Sequence, residues 1–310
     1  MRAFCMLVKR NVKVFFKDKG MFFTSLITPI ILLVLYSTFL ANVYKDNFAN
    51  FIPTGFLAQD AADKLINGAV AGELFSSLLA VCCVTVAFCS NTLMATDKLN
   101  GARKDMMVTP VKKSTVALAY YVATMISTII VTYVATGVSF VYIALKNGWF
   151  LSFGDVLLIL LDVFVLTAFG TAFSCLINNF LTTQGQVSAI GTIISAGYGF
   201  VSGAYMPISS FGTTLQRVMS FLPSTYGTSL IRNHALNGVF RKMAAQNFPT
   251  EAIEKIKDSI DCNIYFFDVK VSVTAMYIVV IASLAALLAA YLLVNLIKIK
   301  IKRKPAKTNG

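Results

Sequence analysis

Residues 69–94 read AVAGELFSSLLAVCCVTVAFCSNTLM, an apolar run interrupted by a single charge, Glu73. About 20 apolar residues in helical conformation cross the roughly 30 Å hydrocarbon core of a bilayer, so this run is long enough to span one upright. Five further runs of the same kind flank it, and the six are placed at 21–43, 69–94, 116–145, 155–177, 185–205 and 271–297. The pattern predicts an all-α integral membrane protein with six transmembrane helices. The third run is too long for an upright span, so it tilts or projects beyond the hydrocarbon at one end. Pro29 lies inside the first run, where a kink is tolerated if neighbouring helices satisfy the freed carbonyls.

Composition agrees with this. Of 310 residues, 57% are hydrophobic and 13% are charged, against about 25% charged in a soluble domain. Apolar surface on that scale, gathered in unbroken runs, needs lipid as its solvent. The net charge of +13 does not point to nucleic acid, because the basic residues flank the runs instead of forming one face. Cys82, Cys83, Cys89 and Cys175 fall within runs and read as small packing residues, while Cys5 and Cys262 are expected on opposite sides, so no disulfide framework follows. His234 is the only histidine, which leaves no ligand cluster for a metal. The basic N-terminal stretch is long and its apolar run exceeds that of a signal peptide, so it reads as retained.

Counting Lys and Arg orients the bundle. Six stand in the N-terminal segment (Arg2, Lys9, Arg10, Lys13, Lys17, Lys19), five between the second and third runs (Lys98, Arg103, Lys104, Lys112, Lys113) and six in the tail (Lys298, Lys300, Lys302, Arg303, Lys304, Lys307). The remaining 10 of 27 are diluted over the other connections, beside most of the acidic residues. By the positive-inside rule both termini are expected in the cytoplasm, which an even number of spans permits.

Within 1–20, Phe4, Leu7, Val8, Val12, Phe15 and Phe16 recur at helical spacing, with Lys9, Arg10, Lys13 and Lys17 at other positions. That is the pattern of an amphipathic interfacial helix whose lysines meet anionic head groups before the chain turns upward near Gly20. The plainer reading is a basic flank that only sets topology. Residues 95–115, ATDKLNGARKDMMVTPVKKST, alternate charges with the apolar cluster Met106, Met107 and Val108. Asp97 can cap a short helix, Thr109 and Pro110 punctuate its end, and the methionines form an adaptable knob suited to a groove on a partner. The competing reading is a loop lying on lipid heads.

From 206 to 270 the chain divides in two. Phe211, Leu215, Val218, Met219, Leu222, Tyr226, Leu230 and Ile231 recur at roughly helical intervals broken by Pro223, which predicts two short helices dipping into the outer leaflet. Glu251, Glu254, Lys255, Lys257, Asp258 and Asp261 then read as a small polar cap. Inside the runs, Asp162 costs about 2.5–3.5 kcal/mol at a helix centre and should face protein or water. With no histidine or basic partner expected in the membrane, it reads as structural rather than as part of a proton relay.

In three features the chain resembles the permease subunits of type-2 ATP-binding-cassette exporters, which share a six-span plan with the eukaryotic G-subfamily half-transporters. The first is the amphipathic N-terminal helix. The second is DKLNGARKDMMVTP at 97–110, similar to that family's cytoplasmic coupling segment, although Asp97 stands where Glu is commoner and Lys104-Asp105 replaces a more apolar or Glu-bearing pair. The third is the block at 203–238, GAYMPISSFGTTLQRVMSFLPSTYGTSLIRNHALNG, similar to the family's Gly-x-x-x-Pro followed by a Leu-Pro-x-Thr/Ser-Tyr turn.

The resemblance implies that Asp97, Gly101, Lys104, Asp105, Met106, Met107, Thr109 and Pro110 receive force from a separate ATPase. It implies a translocation path between two permeases, walled by Thr85, Gln186, Ile190, Ile193 and Phe200, with Pro207, Pro223 and Tyr226 at the outer gate. The segments expected are the interfacial helix 1–20, spans one to five within 21–205, an extracellular region 206–270, span six at 271–297 and a basic cytoplasmic tail at 298–310.

No G-x-x-x-x-G-K-[S/T] loop occurs, so ATP and its magnesium are expected only on a partner ATPase. No nucleophile with an oriented base suggests an enzyme. The favoured reading is an ATP-driven exporter permease in a bacterial plasma membrane, paired with a second permease and working by alternating access. Scattered hydroxyls on an apolar path suit an amphiphilic drug, antibiotic peptide or lipid. The alternative, a channel or secondary carrier, calls for a polar pore stripe or inverted repeats with paired broken helices, and neither is evident.

Overall fold

The computed structural model describes residues 1–36, 38, 41, 44, 45, 48, 59–146 and 148–302. Val43, where the first span was expected to end, and the tail beyond 302 lie outside the described residues. The elements in chain order are α1 (Arg2–Lys17), α2 (Lys19–Leu35), α3 (Gln59–Leu99), α4 (Ala102–Val108), α5 (Lys113–Leu145), α6 (Phe153–Phe180), α7 (Gln184–Val201), a 3-10 turn (Ile208–Ser210), α8 (Thr213–Ser220), α9 (Pro223–Ala245), α10 (Thr250–Ser259), a two-stranded hairpin β1 (Tyr265–Phe266) and β2 (Val269–Lys270), and α11 (Val273–Lys302).

Among the described residues, four helices are long and apolar enough to cross a membrane: α3, α5, α6 and the Val273–Leu296 part of α11. A fifth appears if α1 and α2, which meet at 73°, count as one broken span. These correspond to the second, third, fourth, sixth and first expected runs. The fifth run is α7, only 18 residues long and interrupted by glycines and hydroxyls. The bend between α1 and α2 falls at Asp18 rather than near Gly20, because the Asp18 carboxylate accepts the Met21 N–H at 3.1 Å and so caps α2.

The central element is α3, buried almost continuously from Leu65 to Ala95 and packed against α2, α5, α6, α7 and α9. Small residues allow these contacts. A Cβ added at Gly170 of α6 would come within 2.8 Å of the Cys83 carbonyl on α3, so the two backbones approach closely only because a hydrogen stands there. The polar start of α3, with Asp60, Asp63 and Lys64, extends the helix beyond the apolar run read from sequence.

The region after α7 departs most from expectation. The two expected helices are present and part at Pro223, but while α8 has 8 residues α9 has 23, and α9 is buried for most of its length between α3, α6 and α11. Pro223 marks the break between the two helices. It occupies the first helical turn, where the missing N–H goes unneeded and the fixed φ favours the start. The length and burial of α9 escaped detection because its buried face is made of Ser224, Thr225, Thr228, Ser229 and Arg232 as much as of Leu230, Ile231 and Leu236. After α10, Phe267 and Asp268 at φ 45° and 69° form the left-handed corner that joins β1 to β2.

Candidate coupling helix and the polar anchors around it

The seven-residue helix α4 joins α3 to α5. Gly101 precedes it at φ 84°, a left-handed conformation that costs an L side chain about 1–2 kcal/mol. Nothing lies within 4 Å of where its Cβ would stand, so the requirement is conformational and not steric. The carbonyl of Gly101 then accepts the N–H groups of Lys104 and Asp105 at 2.7 and 3.3 Å. At the other end the Thr109 hydroxyl donates to the Met106 carbonyl at 2.6 Å and closes the last turn.

Two basic residues moor this helix to the bundle. Arg103 is buried and donates to Asn295 Oδ1 on α11 at 2.9 Å and to Asn179 Oδ1 on α6 at 3.4 Å. Lys98, in the last turn of α3, donates to the Asn179 carbonyl at 3.1 Å and to the Leu181 carbonyl, at the C-terminus of α6 where such carbonyls lack helical partners. One residue earlier, Asp97 is buried and accepts both Nη1 and Nη2 of Arg10 from α1, together with the Tyr120 hydroxyl of α5 at 2.7 Å. A bidentate guanidinium–carboxylate pair fixes orientation as well as distance. The middle of α1 and the adjoining ends of α3 and α5 are therefore locked beside α4.

The residues expected to couple to an ATPase separate accordingly. Lys104, Asp105, Thr109 and Pro110 are exposed, and Val108 is the most open of the apolar cluster at 87%. Met107 is half-buried. Met106 is half-buried too and turns its sulfur to within 3.7 Å of the Tyr120 hydroxyl, so it belongs as much to the bundle as to any partner surface. Asp97 faces inward as an anchor. Arg10, Arg103, Tyr120 and Asn295 escaped the sequence reading: the first two were counted only as topogenic charge, and partners up to 192 residues away leave no local spacing signal.

Four of the five expected path residues share one helix. Gln186, Ile193 and Phe200 are exposed and Ile190 half-buried on α7, at spacings that keep them to one broad side. Gln186 also accepts the Thr182 N–H at 2.8 Å. Thr85 is completely buried in α3 and donates to the Val81 carbonyl at 2.9 Å. Of the expected gate residues, Pro207 precedes the 3-10 turn, Pro223 opens α9, and Tyr226 is buried with its hydroxyl donating to the Ser220 carbonyl at 2.5 Å.

Two buried polar clusters stand among the helices, and the first corrects the expectation that Asp162 lacks a histidine or basic partner. His234 Nδ1 lies 2.5 Å from Asp162 Oδ2, and the Tyr277 hydroxyl donates to Asp162 Oδ1, so α6, α9 and α11 meet there. Arg232 Nε lies 3.0 Å from Glu73 Oε2 and its Nη1 lies 3.6 Å from Asp261. The same guanidinium donates to Ser77 Oγ at 3.0 Å and to the Gly203 carbonyl at 3.1 Å. Asp261 in turn accepts the Ile208 and Ser209 N–H groups at 2.5 and 3.3 Å. Both partners, the Arg232 guanidinium and the His234 ring, ride on α9, in the region expected to lie outside the spans.

Outside the apolar helices, Lys270 and Lys257 lie 2.6 and 3.0 Å from Glu254. Their ammonium groups, Lys270 first, pull its carboxyl down to about 2, with the Asn263 amide also donating to it.

No curated protein matches the chain. The description ABC-2 type transporter belongs to a family model that matches residues 2–235. That match takes in the anchored α4, the buried α3 and α9 as far as the Arg232 and His234 clusters, and the chain belongs to the ABC-2 type transporter family.

Proposed function

We propose that the chain is the membrane-spanning permease of an ATP-driven exporter, with ATP and magnesium held by a separate ATPase that grips α4. The observation that carries this reading is the contrast within α4: an exposed tip of Lys104, Asp105, Val108, Thr109 and Pro110 on a base moored by Arg103 to α6 and α11. A push on such a tip tilts the helices to which the base is tied, whereas a flexible loop would absorb it. The open side of α7, with Ile193 and Phe200 beside Gln186 and Thr192, supports a second permease across an apolar path dotted with polar groups. That lining suits an amphiphilic drug, peptide or lipid, moved by alternating access between α3 and α7 of the two copies. The basic N-terminus, α3–α5 connection and tail support cytoplasmic termini in a bacterial plasma membrane.

The test is co-purification with a co-expressed ABC ATPase, followed by ATPase assays. Val108→Asp and Met107→Asp should weaken assembly and uncouple hydrolysis from transport. Unchanged assembly and coupling reject the docking assignment. Met106 is the poorer probe because it packs on Tyr120.

A secondary carrier is the second reading. The buried Asp162–His234 pair is the observation that favours it, since intramembrane ionisable pairs commonly serve proton movement. Transport in vesicles that persists without ATP and follows a proton gradient would select it.

A further inference from the structure

We propose that an anionic phospholipid occupies the groove between α1 and α5. The groove has a volume of about 530 Å³; Phe4, Val8 and Val12 of α1 form one wall, Ile126 of α5 the other, and Lys9 and Lys13 stand at the rim. The two lysines are exposed, four residues apart on one side of α1, and neither has an ion-pair partner among the described residues. Arg10, by contrast, is committed to Asp97. The groove thus pairs two uncompensated positive charges with an apolar floor.

The floor continues. Ile126, Ile130, Val134, Val138 and Val141 are all exposed along α5 at helical spacing. At 1.5 Å per residue that ridge is about 22 Å long, more than half of the roughly 30 Å hydrocarbon thickness. An acyl chain lying against it would place its head group within reach of Lys9 and Lys13. A free anion would gain only the two solvated ammonium groups, and a zwitterionic head group would bring a cation toward them.

Binding of this kind presumes the membrane and not the ATPase. Its consequence does rest on the coupling reading: α1 also carries Arg10 to Asp97, so a lipid that holds α1 on α5 steadies the base of α4.

A tryptophan reporter tests the site. Trp149 is the chain's only tryptophan, so Trp149→Phe with Ile126→Trp puts one fluorophore in the groove of the full chain, and Val8→Trp is the second reporter should Ile126→Trp fold poorly. In vesicles of mixed composition, brominated-chain phosphatidylglycerol should quench the reporter in preference to brominated phosphatidylcholine. Each lysine near a charged surface contributes about fivefold in affinity, so Lys9→Gln with Lys13→Gln should cut that preference roughly thirtyfold. Inorganic phosphate should not relieve the quenching. Equal quenching by the two lipids, a preference that survives loss of both lysines, or competition by phosphate would each overturn the site. None of these readouts involves an ATPase, so their failure is separable from failure of the exporter reading.

Discussion

Arg232 and Glu73 form an ion pair at 3.0 Å with side chains 1% and 0% exposed, and no hydrogen bond reaches either Glu73 carboxylate oxygen from the described residues. The pair is held by charge in a medium of low dielectric, where the attraction offsets a large desolvation cost. Asp261 adds a second carboxylate 3.6 Å from Arg232, so one cation stabilises two anions. Arg232→Met should therefore destabilise the chain by about 3–5 kcal/mol, because it strands both carboxylates. Adding Glu73→Gln should recover part of that loss. Thermal unfolding of the detergent-solubilised chain measures both, and an Arg232→Met midpoint equal to wild type would remove the pair from any structural role.

Gly101 should tolerate substitution according to backbone preference, not size. Its φ of 84° favours Gly, then Asn, over branched side chains, and open space surrounds its Cβ position. Gly101→Asn should leave α4 in place, whereas Gly101→Val should strain the entry by about 1–2 kcal/mol. Protease accessibility of the exposed Lys104 bond reads the difference. Equal protection of the two variants would mean that the left-handed entry does not set the position of α4.

How far the sequence revealed this architecture depends on where each helix finds its partners. The apolar runs announced α3, α5, α6 and α11 because lipid and core both demand hydrophobic side chains at every turn. The extent and burial of α9 stayed hidden: its buried face carries Arg232, His234 and several hydroxyls whose partners, Glu73, Ser77 and Asp162, lie on other helices. Burial of paired polar groups looks like a loop in any window of sequence. The same holds for α4, whose exposed tip was legible from the Met-Met-Val cluster while its mooring through Arg103 to Asn295 was not.

The polar cap should loosen in acid through Glu254. Lys270 and Lys257 lower its carboxyl to about 2 from an ordinary value of 4.5. Its stabilising contribution is thus complete above pH 4.5 and lost as the pH falls toward 2. With 39% of the side chain exposed, solvent screening keeps that contribution below about 1 kcal/mol. Amide protection in α10 and the β1–β2 hairpin, taken relative to the intrinsic exchange rate at each pH, should fall across this window and should fall less in Glu254→Gln. High salt should mimic part of the effect. Protection that is flat between pH 5 and 2.5 would dismiss the network.

Asp162, His234 and Tyr277 join three helices at one carboxylate, and each contact predicts a different loss. Tyr277→Phe removes one donor to Asp162 Oδ1 and leaves His234 in place, so it should cost about 1.5–3 kcal/mol, the usual range for hydrogen bonds to a charged group. Asp162→Asn keeps the shape but weakens the contact 2.5 Å away at His234 Nδ1. His234→Gln removes the ring that also stacks near Tyr277 at 6.3 Å. If the histidine and aspartate act as one unit, the double variant Asp162→Asn with His234→Gln should be less destabilised than the sum of the singles. The interaction energy should lie near 1–3 kcal/mol. Additive losses would show that the two side chains stabilise α6 and α9 independently, despite their proximity.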